Sequence, residues 1–260
     1  MVEVAIALAV IGFALVAIIG ILPAGLNVQK ENREETIINQ DVSIWMDAIR
    51  SGAEGMDYLT NYVDAIEITV TEYDENTGAE GPRTVYTYTR TQPAGEELYN
   101  GTRIVGLLTT PKYLPRSGVF YSNNVVAYVR AISGGATEKP PQDNTTVLDS
   151  GFSYRLTSEV VPFFSSQADN FDYAAFRFNS SGKESPALYS RNLAGNVHDV
   201  RLLFQWPLRP PFDFNGTPPV LPTKVGNSRQ SFRMMMGGST TNIAGDLFFI
   251  KPGQFEKVGS

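Results

Sequence analysis

The chain of 260 residues has no cysteine and one histidine, His198. The missing thiols exclude disulfides, thiolate metal sites, cysteine nucleophiles and haem attached through Cys-x-x-Cys-His. A histidine metal site or a Ser-His-Asp triad would have to use His198, and this residue stands in the alternating run Val197-His-Asp-Val-Arg201, where it reads as a surface strand histidine. Basic charge is scarce as well. Lysine and arginine number 21 against 27 acidic residues, for a net charge of −6, and they are scattered, so the footprint that nucleic-acid binding needs is missing. Neither Gly-x-Ser-x-Gly nor Gly-x-x-x-x-Gly-Lys-Ser/Thr occurs, and no Gly-x-Gly-x-x-Gly opens a helix. Glu96 and Glu97 are neighbours in a loop with nothing to mark them as an acid/base couple. The chain is therefore expected to be no enzyme and to carry no catalytic residue, metal or cofactor.

Charge is rarest of all at the front. From Met1 to Leu26 the residues are apolar except for Glu3, and the next charge is Lys30. At 1.5 Å per residue such a run is long enough to cross the roughly 30 Å hydrocarbon layer of a membrane. A carboxylate at its lip is costly there, and a plain anchor gains nothing from one, so Glu3 points to a positive partner on another chain. No Lys- or Arg-rich leader precedes the run, as expected for the mature form of an exported protein. The run leads into the charged helix formers Lys30–Glu35, and then Ile38, Val42, Trp45 and Ile49 recur on one face, with Met46 beside them. This spacing predicts one helix from about residue 2 to about 51 that lays its second half on a sheet and ends at Ser51-Gly52. Pro23 lacks a backbone donor and glycines flank it, so an interruption is expected near Gly20–Gly25.

From residue 54 the period becomes two. Ile66–Thr71 and Thr84–Arg90 predict a hairpin across Asp74–Gly78. Further strands are predicted at Arg103–Leu108, Asn124–Ile132, Phe152–Val161, Ala174–Phe178, Val197–Trp206, Gln230–Met236 and Asp246–Ile250. Ser133–Ser150 reads as a long polar loop, and Pro207–Pro222, with six prolines, as an extended surface strap. The fold class is α+β: a helix segment, 1–53, followed by an antiparallel β-rich head, 54–260. The oxygen-rich tip Asp74–Glu80 lacks the spacing of an EF-hand, and turn chemistry explains it. Met234, Met235 and Met236 read as half-buried strand rather than a soft-metal site. Asn100, Asn144, Asn179 and Asn215 each open an Asn-x-Ser/Thr tripeptide, the acceptor for N-glycosylation.

The order Val2-Glu3-Val4 followed by Ala9-Val10-Ile11-Gly12 resembles the amino terminus of the type IV pilin superfamily, which includes the pseudopilins of type II secretion. Over its length the chain is more distantly similar to the pilin-like Verru_Chthon cassette proteins, through Leu22–Leu26, Val126–Arg130, Val200–Trp206 and Asn227–Arg233. The pilin resemblance implies clipping by a prepilin peptidase, methylation of the new terminal amine, and pairing of Glu3 with the terminal amine of a neighbouring subunit. It implies insertion in the cytoplasmic membrane before assembly. Copies of the chain then join, through the pilus assembly machinery, into an extracellular filament on the cell surface. Met1, Glu3, Gly12, Gly20 and Pro23 are the residues on which that assembly would turn. Two departures stand out. The glutamate is third, so the processed end is either Met1 or lies two residues upstream, and the proline comes three residues later than in many pilins. The alternatives are a membrane-anchored surface-binding protein whose helix is only an anchor, and a minor pseudopilin of a secretion machine.

Overall fold

The structure is a computed structural model that describes residues 2–52, 56–74, 77–90, 97–116, 119–133, 152–163, 193–216, 218–243 and 247–255, without the side chains of residues 23, 24, 115 and 116. Helix α1, Val2–Ser51, runs as one piece. Its end is where the sequence places it: Gly52 takes the left-handed conformation (φ +69°) that stops a helix at low cost, and the Ser51 hydroxyl donates to the Ala48 carbonyl. The interruption expected near Gly20–Gly25 is absent. Proline deletes a single rung of the hydrogen-bond ladder, and the rungs on either side carry the helical path past it.

Eight antiparallel strands follow: β1 Val63–Asp74, β2 Glu80–Thr89, β3 Tyr113–Arg116, β4 Val119–Arg130, β5 Ser153–Pro162, β6 Val197–Arg209, β7 Lys224–Ile243 and β8 Leu247–Pro252. They form one sheet in the order β2-β1-β4-β5-β6-β7-β8, with β3 alongside β4. The hairpin pairs Ile66 with Tyr88 and Thr71 with Arg83, and its tip turns at Gly78 (φ +67°). There the Asp74 carboxylate accepts the backbone N–H (2.8 Å) and hydroxyl (2.9 Å) of Thr77, which is the turn chemistry expected of that stretch. β7 changes partner along its length, pairing with β6 as far as Gly237 and with β8 from Gly238. Gly238 (φ +147°) permits the change, since a Cβ there would lie 2.1 Å from the Lys251 carbonyl oxygen.

One predicted strand is a helix. Residues Arg103–Leu108 belong to α2, Gly101–Leu108. A short apolar run does not distinguish strand from helix by itself. Asn100 decides it: its side chain accepts the Arg103 N–H (2.7 Å), an N-cap bond. Gly101 then lets the first turn sit against the Met56 carbonyl, only 2.2 Å from where a Cβ would be. The predicted strand Ala174–Phe178 lies outside the described residues, as does most of Ser133–Ser150. Within Pro207–Pro222, β6 runs on to Arg209. Leu208, Phe214 and Leu221 pack on Ala65, Val126 and Tyr128, so this stretch covers part of the outer face of the sheet instead of only skirting it.

The core lies between the inner face of the sheet and two helices. α1 contributes Ile38, Val42, Trp45 and Ile49, all buried, with Met46 at the margin, as the stripe predicts. α2 adds Ile104, Leu107 and Leu108, and the sheet adds Ile66, Ala127, Leu156, Leu202 and Phe204. Tyr154 and Phe204 meet at 5.2 Å between ring centres, and Phe232 meets Phe204 edge-on at 5.6 Å. Met234, Met235 and Met236 are half-buried, exposed and buried in turn, the alternation of an ordinary strand.

Candidate assembly surface and the clamp behind it

The exposed surface is the first half of α1. From Val2 to Val28 every large apolar side chain outside residues 23 and 24 is at least half exposed, from 52% for Leu22 to 79% for Phe13. Burial begins at Ile37, so the helix projects about 50 Å before it meets the head, at 1.5 Å per residue. Exposed apolar patches on soluble monomers rarely exceed a few hundred Å². A bare apolar rod is far beyond that and requires a cover of lipid or of protein. It is the one helix among the described residues long and apolar enough to cross a membrane, which is consistent with membrane association. Glu3 sits in its first turn, where a carboxylate faces the positive end of the helix dipole. Gly12 and Gly20 have open space beside them, with nothing within 4 Å of an added Cβ, so another helix could approach closely there. Met1 and the Pro23 side chain lie outside the described residues. At the foot of the apolar segment Lys30 and Glu34 pair loosely at 3.8 Å.

The rod is held by a buried polar node that sequence reasoning missed. Asp41 is fully buried within the apolar stripe of α1. Its Oδ2 accepts the Ile132 N–H (2.9 Å) and the Tyr154 hydroxyl (2.9 Å); its Oδ1 accepts the Ser133 N–H (2.7 Å) and the Ser133 hydroxyl. Trp45, one turn along, donates Nε1–H to the Tyr154 oxygen (2.9 Å). Burial pushes the Asp41 carboxyl above its ordinary range, and the four hydrogen bonds pull the other way. Burial also drives the Tyr154 phenol well above its usual value, and the neighbouring carboxylate adds to this, so it stays a donor. A carboxylate with four donors, set among leucine-like side chains, ties helix, β5 and the end of β4 at one point. The signal was present in the sequence: Asp41 is the one charge inside the stripe formed by Ile38, Val42 and Trp45.

Comparison with known protein families, characterised proteins and solved structures gave no match for this chain. Among the described residues, no group of three or more acidic or histidine side chains is placed to hold a metal ion. Of the four candidate glycosylation sites, Asn100 is the N-cap of α2, Asn215 is exposed in a turn anchored on Asp213, and Asn144 and Asn179 lie outside the described residues.

His198 is buried, at 4% exposure, and is not the surface residue expected. It falls on the inner face of β6 with Val200 and Leu202, because alternation from those residues carries it inward, and its Nε2 lies 2.8 Å from the Thr240 hydroxyl. Burial lowers its pKa from 6.5 to about 4, opposed by a hydrogen bond with the Gly238 backbone. A depressed pKa contributes stability that is present above pH 6.5 and lost as pH falls through about 4. The span corresponds to about 3 kcal/mol. Unfolding free energies of wild type and His198→Gln should therefore converge by about 3 kcal/mol between pH 7 and pH 4. Parallel curves over that range would remove His198 as a source of acid sensitivity.

Proposed function

We propose that the protein is a structural subunit of a type IV pilus-like filament, in which the apolar halves of many α1 helices bundle and the β-rich heads form the outside. The observation that carries this reading is the continuity of α1: a bare apolar rod passes without a linker into a helix locked in the head by Asp41 and Trp45. A tether that only holds a domain near a membrane has no need of such rigid coupling, and usually ends in a flexible segment. The likeness of the first 26 residues to pilins supports the reading, as does a carboxylate at position 3 with no lysine or arginine between it and Lys30 to neutralise it. In a bundle the small residues Ala5, Ala9 and Gly12 admit close helix contact, and Glu3 pairs with the terminal amine of a neighbour. Electron microscopy of material sheared from cells expressing the chain should show helical filaments that carry it. Dispersed particles, with the chain left in the membrane fraction, would favour the anchored surface-binding protein instead.

A further inference from the structure

The head has a charge asymmetry across its sheet. On the outer face of β7 the odd residues Arg229, Ser231, Arg233 and Met235 are all exposed. Arg201 stands opposite Arg233 on β6, and Arg155 on β5 donates to Gln205, whose strand partner is Arg229. Four guanidinium groups thus share this face. Among the described residues, the carboxylates bonded on this face are Asp199, buried and held by Arg233 (2.6 Å) and Arg201 (2.8 Å), and Glu159, held by Lys112; Glu67 lies further along the same face on β1. Among the described residues the β6–β7 side of the face is cationic, on a chain whose net charge is −6. At the other edge of the same sheet, the β1–β2 hairpin reaches past the core. Its residues Glu80–Tyr86 are exposed without a break, and its tip carries Glu72, Asp74 and Glu80, with Arg83 behind them on β2 and Arg116 of β3 level with Asp74 in register. The strand registers place the tip and the Arg201–Arg233 pair towards the same end of the sheet.

We propose that the acidic hairpin tip of one head docks on the cationic β6–β7 face of a second copy of this chain. The two surfaces lie on opposite edges of one sheet, so the contact is heterologous: each copy offers one tip and one face. Such a contact propagates instead of closing into a dimer, which is the geometry a helical polymer needs. Charge complementarity sets the register, and because the charges are exposed the contact is salt-sensitive. The proposal rests on the filament reading for its setting but concerns only the heads.

The absence of native cysteine makes the test clean. The full-length chain in membranes of the expressing cells would carry Ala79→Cys at the tip and Ser231→Cys between the two arginines. A short thiol-reactive cross-linker should then give a ladder of dimers, trimers and higher species, and neither single variant should give one. Adding Glu80→Lys should cut the cross-linked yield about fivefold, and Arg229→Glu on top of it should restore the yield. Salt that shortens the screening length from about 10 Å to about 3 Å should also cut it. Filaments that form without the ladder would overturn this contact and leave the helix bundle standing. A ladder in cells that make no filaments would support the contact and remove the bundle. Dimers from Ala79→Cys alone would mean a two-fold contact and would overturn the proposal, as would no cross-linking under any condition.

Discussion

If the chain forms the proposed filament, Glu3→Ala is expected to leave the protein folded and membrane-associated while assembled filaments fall by about tenfold or more, since each 1.4 kcal/mol lost at a subunit contact is a factor of ten. A carboxylate at the tip of a membrane-spanning segment lies close to water, so membrane insertion tolerates it. Once the segment is enclosed by other apolar helices the water is gone, and a charge needs an opposite charge within reach. Between Glu3 and Lys30 the chain has no lysine or arginine, and on the proposed filament the partner is the terminal amine of an adjacent subunit. Only one axial stagger brings amine and carboxylate together, so the pair also sets the position of each incoming subunit. Glu3→Gln keeps the size of the side chain and removes the charge, and it should fail in the same way, which separates loss of charge from loss of bulk. The measurement is filament yield in the sheared fraction at matched total expression. Equal yields from wild type and Glu3→Ala would end the pairing role.

Asp41→Asn should destabilise the head by about 3 kcal/mol, a large share of the 5–15 kcal/mol typical of a folded domain. The carboxylate faces four donors, and an asparagine offers one oxygen to them while its amide group points two more donors at the rest. Breaking a buried charged network by altering one partner leaves the others stranded, and this accounts for most of the cost. Tyr154→Phe removes one donor to Asp41 and the acceptor of Trp45, so it should cost about 1–2 kcal/mol. Denaturant unfolding of detergent-solubilised full-length protein, followed by the fluorescence of the two buried tryptophans, Trp45 inside the node and Trp206 on β6, reads both. A change below about 1 kcal/mol for Asp41→Asn would mean that the donors find other acceptors.

The parts of the molecule legible in the sequence are those with one strong period. The stripe Ile38-Val42-Trp45-Ile49 and the alternation in Val197–Trp206 led directly to a helix on a sheet, because a repeating apolar spacing has few ways to be buried. Residues 103–108 misled because six residues of Arg-Ile-Val-Gly-Leu-Leu satisfy either period, and the deciding bond comes from Asn100, outside the run. His198 misled because alternation tells which residues share a face, not which face is inside when charged Asp199 and His198 are adjacent; both proved to be buried. Asp41 was missed for the opposite reason. A lone acid in an apolar stripe acquires meaning only from Ile132, Ser133 and Tyr154, which lie 91, 92 and 113 positions away. Glu3 stands out in the sequence through cost alone, since an acid in an apolar run needs an explanation that no local structure supplies.

The uninterrupted course of α1 has a mechanical consequence. A helix with no break between its bare half and its clamped half acts as a shaft, not a cord: turning or sliding one end turns or slides the other. In a polymer built on such shafts, the pattern of side chains shown to the outside is decided inside, by how the apolar rods nest. Changing the lateral packing of a few small residues near Gly12 would therefore reorient every head at once, with no change to the head itself.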